Sequence, residues 1–93
     1  TIVRNTFNAS QLPQLIQEGR LHAQIKSDHV IRNPAARGEP AGTRSQYIRY
    51  LDDNGTWLVD VHLYLRPDGS IGGSGKPDPK LMPVGDEIWL ATP

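Results

Sequence analysis

The chain has 93 residues, no cysteine, and ten basic residues balanced by ten acidic ones. This length predicts one small globular domain over residues 1–93, large enough for a modest core without metal or disulfide support. The absence of cysteine excludes disulfides, thiol catalysis and cysteine-ligated zinc, and it favours a reducing, cytoplasmic location.

The charges are unevenly distributed along the chain. Residues 1–49 contain seven basic and three acidic residues, and the remainder carries the compensating negative charge. Such asymmetry marks either a basic face for an anionic partner or two halves that attract each other. The zero net charge favours the second interpretation, because dedicated nucleic-acid-binding domains are usually basic overall. No apolar run approaches the roughly 20 residues of a membrane-spanning helix, so no membrane partner is expected.

The N-terminal third predicts helices. Ser10 is a good N-cap, apolar residues follow at helical spacing, and Gly19 ends the pattern, so residues 11–18 are predicted to form a short amphipathic helix. Residues 20–33 fit a helix ending before Pro34, but they also alternate like a strand. We favour the helix for this segment and keep the strand as the alternative.

Residues 33–44 combine proline, glycine and small residues without periodicity, which predicts a loop. Arg37 and Arg44 in this loop, with Arg32 just before it, are candidate binding residues, because a flexible basic loop can follow a phosphate chain. The alternative is that these arginines only keep a long loop soluble.

A β-hairpin is the clearest element. Asn54-Gly55 is typical of a two-residue type I′ turn, in which both residues have positive φ. A two-residue turn at Asn54-Gly55 sets a strand register that pairs Asp53 with Thr56 and Leu51 with Leu58. Further from the turn it makes four pairs: Tyr50 with Val59, Arg49 with Asp60, Ile48 with Val61, and Tyr47 with His62.

This register separates an apolar face from a polar one. The predicted buried face carries Ile48 and Tyr50 on one strand and Trp57, Val59, Val61, Leu63 and Leu65 on the other. The opposite face carries Arg49, Asp60, Tyr47, His62 and Tyr64, beside Leu51 and Leu58.

The remaining segments extend the sheet. Residues 67–69 predict a turn, Ile71 is expected to start a third strand, and Gly85-Asp86 is expected to turn a last hairpin that pairs Leu81 with Leu90 and Met82 with Trp89. Pro83 predicts that its arm is an edge strand. The expected fold is α+β, with one or two N-terminal helices packed on one face of an antiparallel meander of about four to five strands.

The glycine-rich stretch GGSGKPDPK, residues 72–80, does not match a phosphate-binding loop. A P-loop would need glycine at position 70 and a hydroxyl after Lys76, where the chain has Ser70 and Pro77. A dinucleotide fingerprint fails as well, because Asp78 stands at its third glycine position, between Pro77 and Pro79. Gly72, Gly73, Gly75 and Lys76 remain candidates for binding, since uncovered glycine amides suit the addition of a partner strand.

The polar face of the hairpin is the best candidate for chemistry. His62 is a candidate general base or acid near neutral pH, Asp60 or Tyr47 would orient it, and Arg49 would stabilise developing negative charge. The alternative is a solvent-facing strand with one cross-strand ion pair.

A second group, His22, Lys26 and His29, shares one face only if residues 20–33 are helical. Their spacing matches no recognised zinc-ligand pattern, so no metal site and no cofactor are predicted.

The order of helices followed by an antiparallel sheet with histidine, arginine and lysine on one face resembles the small metal-independent ribonuclease toxins of the barnase, EndoU, colicin and RelE group. This resemblance implies that His62 and Arg49, with Lys76 or His22, would cleave RNA through acid-base catalysis and phosphate stabilisation. Because every candidate site also has a purely structural explanation, we favour a non-catalytic interaction module that binds a protein partner, or itself, through a sheet edge. A ribonuclease with RNA as its partner is the alternative.

Overall fold

The computed structural model describes residues 2–91. Two short helices, α1 (Ile2–Ala9) and α2 (Leu12–Gln17), precede five strands. The strands are β1 (His22–Val30), β2 (Arg44–Leu51), β3 (Trp57–Leu65), β4 (Asp78–Val84) and β5 (Glu87–Leu90). They form one antiparallel sheet in the order β1-β2-β3-β4-β5, and a short 3-10 helix (Pro34–Arg37) interrupts the loop between β1 and β2. The predicted α+β meander with N-terminal helices is confirmed.

The helices are α1, which was not predicted, and α2, which lies inside the predicted segment 11–18. Val3 and Phe7 are one helical turn apart on α1, and both are buried. The Ser10 hydroxyl donates to the Phe7 carbonyl oxygen at 2.6 Å and accepts from the Leu12 amide at 3.1 Å, so it links the two helices. Gly19 follows α2 with φ of 68°, a backbone conformation that glycine adopts without strain.

The helix favoured for residues 20–33 is wrong, because this segment forms the edge strand β1. It pairs with β2 from His22 opposite Leu51 to Val30 opposite Arg44, with one irregularity between Ile25 and Ser27. The alternation of the segment and its β-branched residues suit a strand, and pairing satisfies backbone groups of β2 that a helix would leave open.

The predicted hairpin register is confirmed for four pairs and wrong next to the turn. Tyr50, Arg49, Ile48 and Tyr47 lie opposite the predicted partners on β3. Beyond Tyr50 the register shifts, so that Leu51 pairs with Trp57 instead of Leu58. Gly55 has positive φ but Asn54 does not, and Asp52 accepts from the amides of Asn54 and Thr56. The turn is therefore longer than the predicted type I′ turn.

The core lies between the helices and the inner face of the sheet, which we define as the face bearing Ile48 and Tyr50. The buried cluster consists of Phe7, Ile48, Tyr50, Val59, Val61 and Leu63. All of the predicted inner-face residues except Trp57 belong to this cluster or pack against it. The Trp57 indole instead donates a hydrogen bond to Asp60 on the opposite face, which we call the outer face. The shifted register explains this difference, since one extra residue reverses the side to which the next side chain points.

Two further strand predictions are wrong. Ile71 does not start a strand but forms a single bridge to Leu65. The strand containing Pro83 is not an edge strand, because β4 lies between β3 and β5. Pro83 nevertheless pairs only with Ile88 of β5, beyond the residues through which β4 pairs with β3, so its missing amide hydrogen breaks no bond to β3. The predicted pairs of Leu81 with Leu90 and Met82 with Trp89 are confirmed.

Candidate functional site

The Asp60 carboxylate is the centre of a cage on the outer face of the sheet. Asp60 is only 1% exposed. The Arg49 guanidinium donates to both of its oxygens, at 2.8 and 3.0 Å. The Tyr47 hydroxyl donates at 3.0 Å and the Trp57 indole N–H at 2.9 Å. Asp60, Arg49, Tyr47 and Trp57, which we call the Asp60 cage, thus form one closed hydrogen-bonded group.

The cage holds Asp60 in its ionised form. Burial alone would raise the pKa of this carboxyl, but the hydrogen bonds from Arg49 and Tyr47 outweigh burial and keep the pKa below its ordinary value. The pKa of Tyr47 is raised by its own burial and by the adjacent carboxylate. Arg49 also lies over the Trp57 ring, 4.1 Å from the centroid. Its positive charge is therefore already balanced within the sheet.

His62 belongs to a separate group nearer the C-terminal end of β3. Its Nε2 lies 2.7 Å from the Ser45 hydroxyl oxygen, and its ring meets the Tyr64 ring edge-on at 4.9 Å. The Tyr64 hydroxyl in turn accepts a hydrogen bond of 2.8 Å from the Arg37 guanidinium. His62, Ser45, Tyr64 and Arg37 form what we call the His62 group, and none of them bonds to a side chain of the Asp60 cage.

The protonation of His62 is set by its surroundings at this end of the sheet. Partial burial lowers the pKa of the imidazole, and the nearby Lys80 ammonium lowers it further, while Asp78 acts in the opposite direction. Asp78 is itself shared between Lys80, at 2.8 Å, and Arg4, at 3.4 Å. The neutral form of His62 therefore dominates at pH 7, as a general base requires.

A cleft of about 470 Å³ opens beside His62, between β3 and the glycine-rich segment. Its wall includes His62 and Tyr64 on one side and Gly72, Gly73 and Lys76 on the other. Arg4 and Asn8 of α1 also line it. The cleft is thus lined by the predominantly neutral imidazole of His62, by Arg4, which is paired with Asp78, and by Lys76, which forms no ion pair with a described residue.

The glycine-rich segment binds a carboxylate of its own chain. The Glu39 side chain is 2% exposed, and it accepts from Arg66 at 2.7 Å and from the Gly73 amide at 2.7 Å. These two bonds, the one from Arg66 being the stronger, hold the pKa of Glu39 below its ordinary value. A side chain at Gly72 would place its Cβ 2.5 Å from a Glu39 oxygen. Residue 72 must therefore be glycine because the buried carboxylate occupies the space.

The amides that were expected to be uncovered are used internally. Gly72 donates to the Tyr64 carbonyl, Gly73 to Glu39, and Gly75 to the Gly72 carbonyl. Lys76 of the same segment is exposed and forms no ion pair with any described residue. Of the four candidate binding residues in this segment, only the lysine thus offers its polar group outward.

The other predicted residues are spread over the sheet. Arg44 lies at the start of β2 and pairs with Asp28 at 2.7 Å, so it is not a loop residue. His22 pairs with Asp53 at 3.0 Å, near the turn between β2 and β3. In β1 it lies opposite Leu51, whereas His29 lies opposite Ser45, close to the His62 group. The described residues contain no cluster of three or more histidine, cysteine or acidic side chains that could hold a metal.

Ser45, Arg4 and Lys80 were not recognised as site residues from the sequence. The position of Ser45 near His62 could have been predicted, because the hairpin register places Ser45 opposite Tyr64 and therefore diagonal to His62. Arg4 and Lys80 carried no such signal, since their approach to Asp78 depends on how α1 and β4 pack.

Acidic turns lie at one end of the sheet, and the opposite end carries basic residues together with the acidic Asp28, Glu39 and Asp68. The turn between β2 and β3 carries Asp52 and Asp53. At the same end of the sheet, Asp86 lies in the turn between β4 and β5, and Glu87 is the first residue of β5. The opposite end carries Arg32, Arg37 and Lys76, none of which forms an ion pair with a described residue. The His62 group lies toward this basic end.

The chain matches no protein-family model, and no curated protein or solved structure is significantly similar to it. The resemblance to the ribonuclease toxins therefore rests on element order and on the residues of the outer face. Among residues 2–91, no helix is long and apolar enough to cross a membrane.

Removal of either charge from the Asp60 cage should destabilise the fold. We expect Arg49→Ala to lower the free energy of unfolding by about 3 kcal/mol, because it leaves a buried carboxylate without its counter-charge. Arg4→Ala removes a partly exposed ion pair instead, and it should cost about 1 kcal/mol or less. Urea denaturation measures both, and equal losses in the two variants would contradict the central role of the cage.

Substitution of Gly72 should be more harmful than substitution of Gly75. Gly72→Ala forces its Cβ against Glu39, and we expect a loss of about 2 to 3 kcal/mol, as for other overpacked sites. Gly75 has φ of 80° and open space around it, so Gly75→Ala should cost only the backbone strain, about 1 kcal/mol. Denaturation of the two variants tests the difference, and a Gly72→Ala protein as stable as the wild type would show that the Glu39 contact is not tight.

Proposed function

We propose that this chain cleaves RNA without a metal ion and that His62 is its acid-base residue. The observation that carries the proposal is the position of His62 at the wall of a cleft, held by Ser45 at 2.7 Å and bordered by Arg4 and Lys76. An imidazole with a lowered pKa beside positive charges suits proton removal near a phosphate.

The chemistry requires three roles. A base removes the proton of a ribose 2′-hydroxyl, and the 2′-oxygen attacks the adjacent phosphorus. A 2′,3′-cyclic phosphate forms as the bond from phosphorus to the 5′-oxygen breaks, and an acid gives a proton to that leaving oxygen. Neutral His62 fits the base, and once protonated it returns the proton either directly or through water. Cations near the phosphate stabilise the negative charge that develops during the attack.

The stabilising cations would be Lys76 and Arg37 and not Arg49. The positive charge of Arg49 is neutralised by Asp60, to which its guanidinium donates two short hydrogen bonds. Lys76 lines the cleft beside His62, and Arg37 reaches the Tyr64 hydroxyl of the His62 group. His22, at the other end of the sheet and paired with Asp53, is too distant to act as the second proton-transfer group.

Ser45 would act as a positioning residue. Its hydroxyl bonds Nε2 of His62 and thereby fixes the orientation of the ring. No described residue bonds Nδ1, which leaves this nitrogen available to a substrate proton. The edge-on Tyr64 ring restricts the imidazole on another side. A histidine held in this way needs little reorganisation when substrate binds.

His62→Gln should abolish cleavage of total and transfer RNA by the purified protein in EDTA. We expect the rate to fall by at least about 100-fold, the usual contribution of a positioned acid-base group. His22→Gln is the matched control, because His22 also lies on the outer face but at the acidic end of the sheet. This variant should cleave RNA at the wild-type rate.

The pH dependence gives a second criterion for the same reaction. The pKa of His62 is lowered. The midpoint of the acid limb of the pH–rate profile should therefore lie below the ordinary histidine pKa of about 6.5. RNA that stays intact with the wild-type protein, or that is cut equally well by His62→Gln, would contradict the proposal.

Capture of a partner strand is the second candidate function, and β1 is the observation that favours it. All nine residues of β1 are exposed, and it pairs with β2 on one side only. Ile25 and Val30 are 56% and 52% exposed. An exposed edge of this length is a template for another strand, either of a partner protein or of a second copy.

Sedimentation at rising protein concentration tests this candidate. If β1 associates, Ile25→Lys should shift the protein toward monomer, because lysine on an edge strand opposes pairing. Ile88→Lys is the matched control, since Ile88 is 57% exposed on the four-residue edge strand β5. A monomer at every concentration would exclude self-association, and an effect of Ile88→Lys alone would assign the contact to β5.

A further inference from the structure

We infer that the substrate is single-stranded RNA and that the bases on either side of the reacting phosphate are held apart, one stacked on Arg49 over Trp57 and the other on Tyr64. This inference rests on the proposed function, since it places the phosphate over His62. It follows from three features of the outer face: two flat platforms, their spacing, and the clefts next to the second one.

The first platform is the Arg49 guanidinium. Its central carbon lies 4.1 Å from the Trp57 ring centroid, and its two hydrogen bonds to Asp60 hold it in place. The Arg49 side chain remains 32% exposed. A planar cation that is already stacked and fixed presents its other face to a base at little entropic cost.

The second platform is the Tyr64 ring. His62 meets it edge-on, and Arg37 holds its hydroxyl at 2.8 Å. A cleft of about 290 Å³ borders this ring and is also lined by His29, Arg32, Arg37 and Ser45. The cleft at His62 borders the ring as well. Tyr64 is therefore an aromatic surface flanked by space and by positive charge, which are the features that bind unpaired bases.

The spacing of the platforms indicates that single-stranded RNA, and not duplex RNA, can contact both of them. Arg49 lies opposite Asp60 and Tyr64 lies four residues further along β3, so the backbone positions that carry the two platforms are about 13 Å apart at roughly 3.3 Å per residue. His62 lies midway between them on the same face. Neighbouring bases in a duplex are stacked about 3.4 Å apart and cannot reach both platforms. Bases of a single strand can separate, because they lose neither pairing nor a regular stack.

The binding test uses an RNA that cannot be cut, a tetranucleotide with 2′-O-methyl riboses, and compares it with a duplex of the same sequence. The readout is the indole N–H resonance of each tryptophan, assigned with Trp57→Phe and Trp89→Phe. We expect the single strand to shift the Trp57 resonance and to leave Trp89, on the distant strand β5, unchanged. The duplex should bind at least tenfold more weakly and move neither signal.

The second platform has its own matched pair of variants. Tyr64→Ala should weaken binding of the same tetranucleotide by roughly tenfold, the lower part of the range for loss of one stacked base. Tyr64→Phe keeps the ring and loses only the contact to Arg37, so it should bind within about threefold of the wild type.

The inference is overturned if the duplex binds as tightly as the single strand, if Trp57 does not respond, if Tyr64→Phe and Tyr64→Ala are equally weakened, or if the tetranucleotide does not bind. A protein that cleaves RNA but fails this test keeps the proposed function and loses the two platforms. A protein that binds the strand in this way without cleaving RNA keeps the platforms and loses the catalytic role of His62.

Discussion

The buried carboxylate of Asp60 constrains the rest of the sheet. A carboxylate that is 1% exposed is tolerated only when charge and hydrogen bonds replace its water. Arg49 and Tyr47 supply them from β2, and Trp57 supplies the last donor from the irregular start of β3. The register shift after Tyr50 is therefore part of the cage, because without it the indole would point into the core. The pairing of β2 with β3 and the bulge that turns Trp57 outward therefore both bring hydrogen-bond donors to this one charge.

This constraint also divides the outer face into two parts with different roles. The Asp60 cage is closed: each of its polar groups already has a partner within the group. The His62 group is open, since His62 borders a cleft and Lys76 and Arg37 carry charge without an acidic partner among the described residues. A charge that is already balanced stabilises a fold, whereas an unbalanced one is free to attract a ligand. The basic end of the sheet is therefore where we locate the phosphate and its cleavage, and the closed cage offers a ligand only the partly exposed Arg49 side chain for stacking.

Much of the fold could be predicted from local patterns, and the contacts that shape the site could not. The pairs Arg49 with Asp60 and Tyr47 with His62 follow from the alternation of β2 and β3, and the structure has them. The bulge at Trp57 could not be predicted, because it depends on the indole reaching Asp60. The strand over residues 22–30 was missed because the spacing of its apolar residues fits a helix as well as a strand, and only pairing with β2 decides between the two. The close contact between Glu39 and Gly72 joins residues far apart in sequence, so the sequence alone predicts glycine amides that are free to bind a partner.

The Asp60 cage and the His62 group titrate independently, and the pKa of His62 measured by NMR titration in three proteins tests this independence. The wild type should titrate below the ordinary histidine range. Tyr47→Phe removes a hydroxyl that serves only Asp60, so it should leave the pKa of His62 unchanged. Asp78→Asn removes the charge that opposes the lowering and should decrease this pKa further. If Tyr47→Phe shifts the pKa of His62 as much as Asp78→Asn does, the cage and the His62 group are one coupled site and not two independent groups.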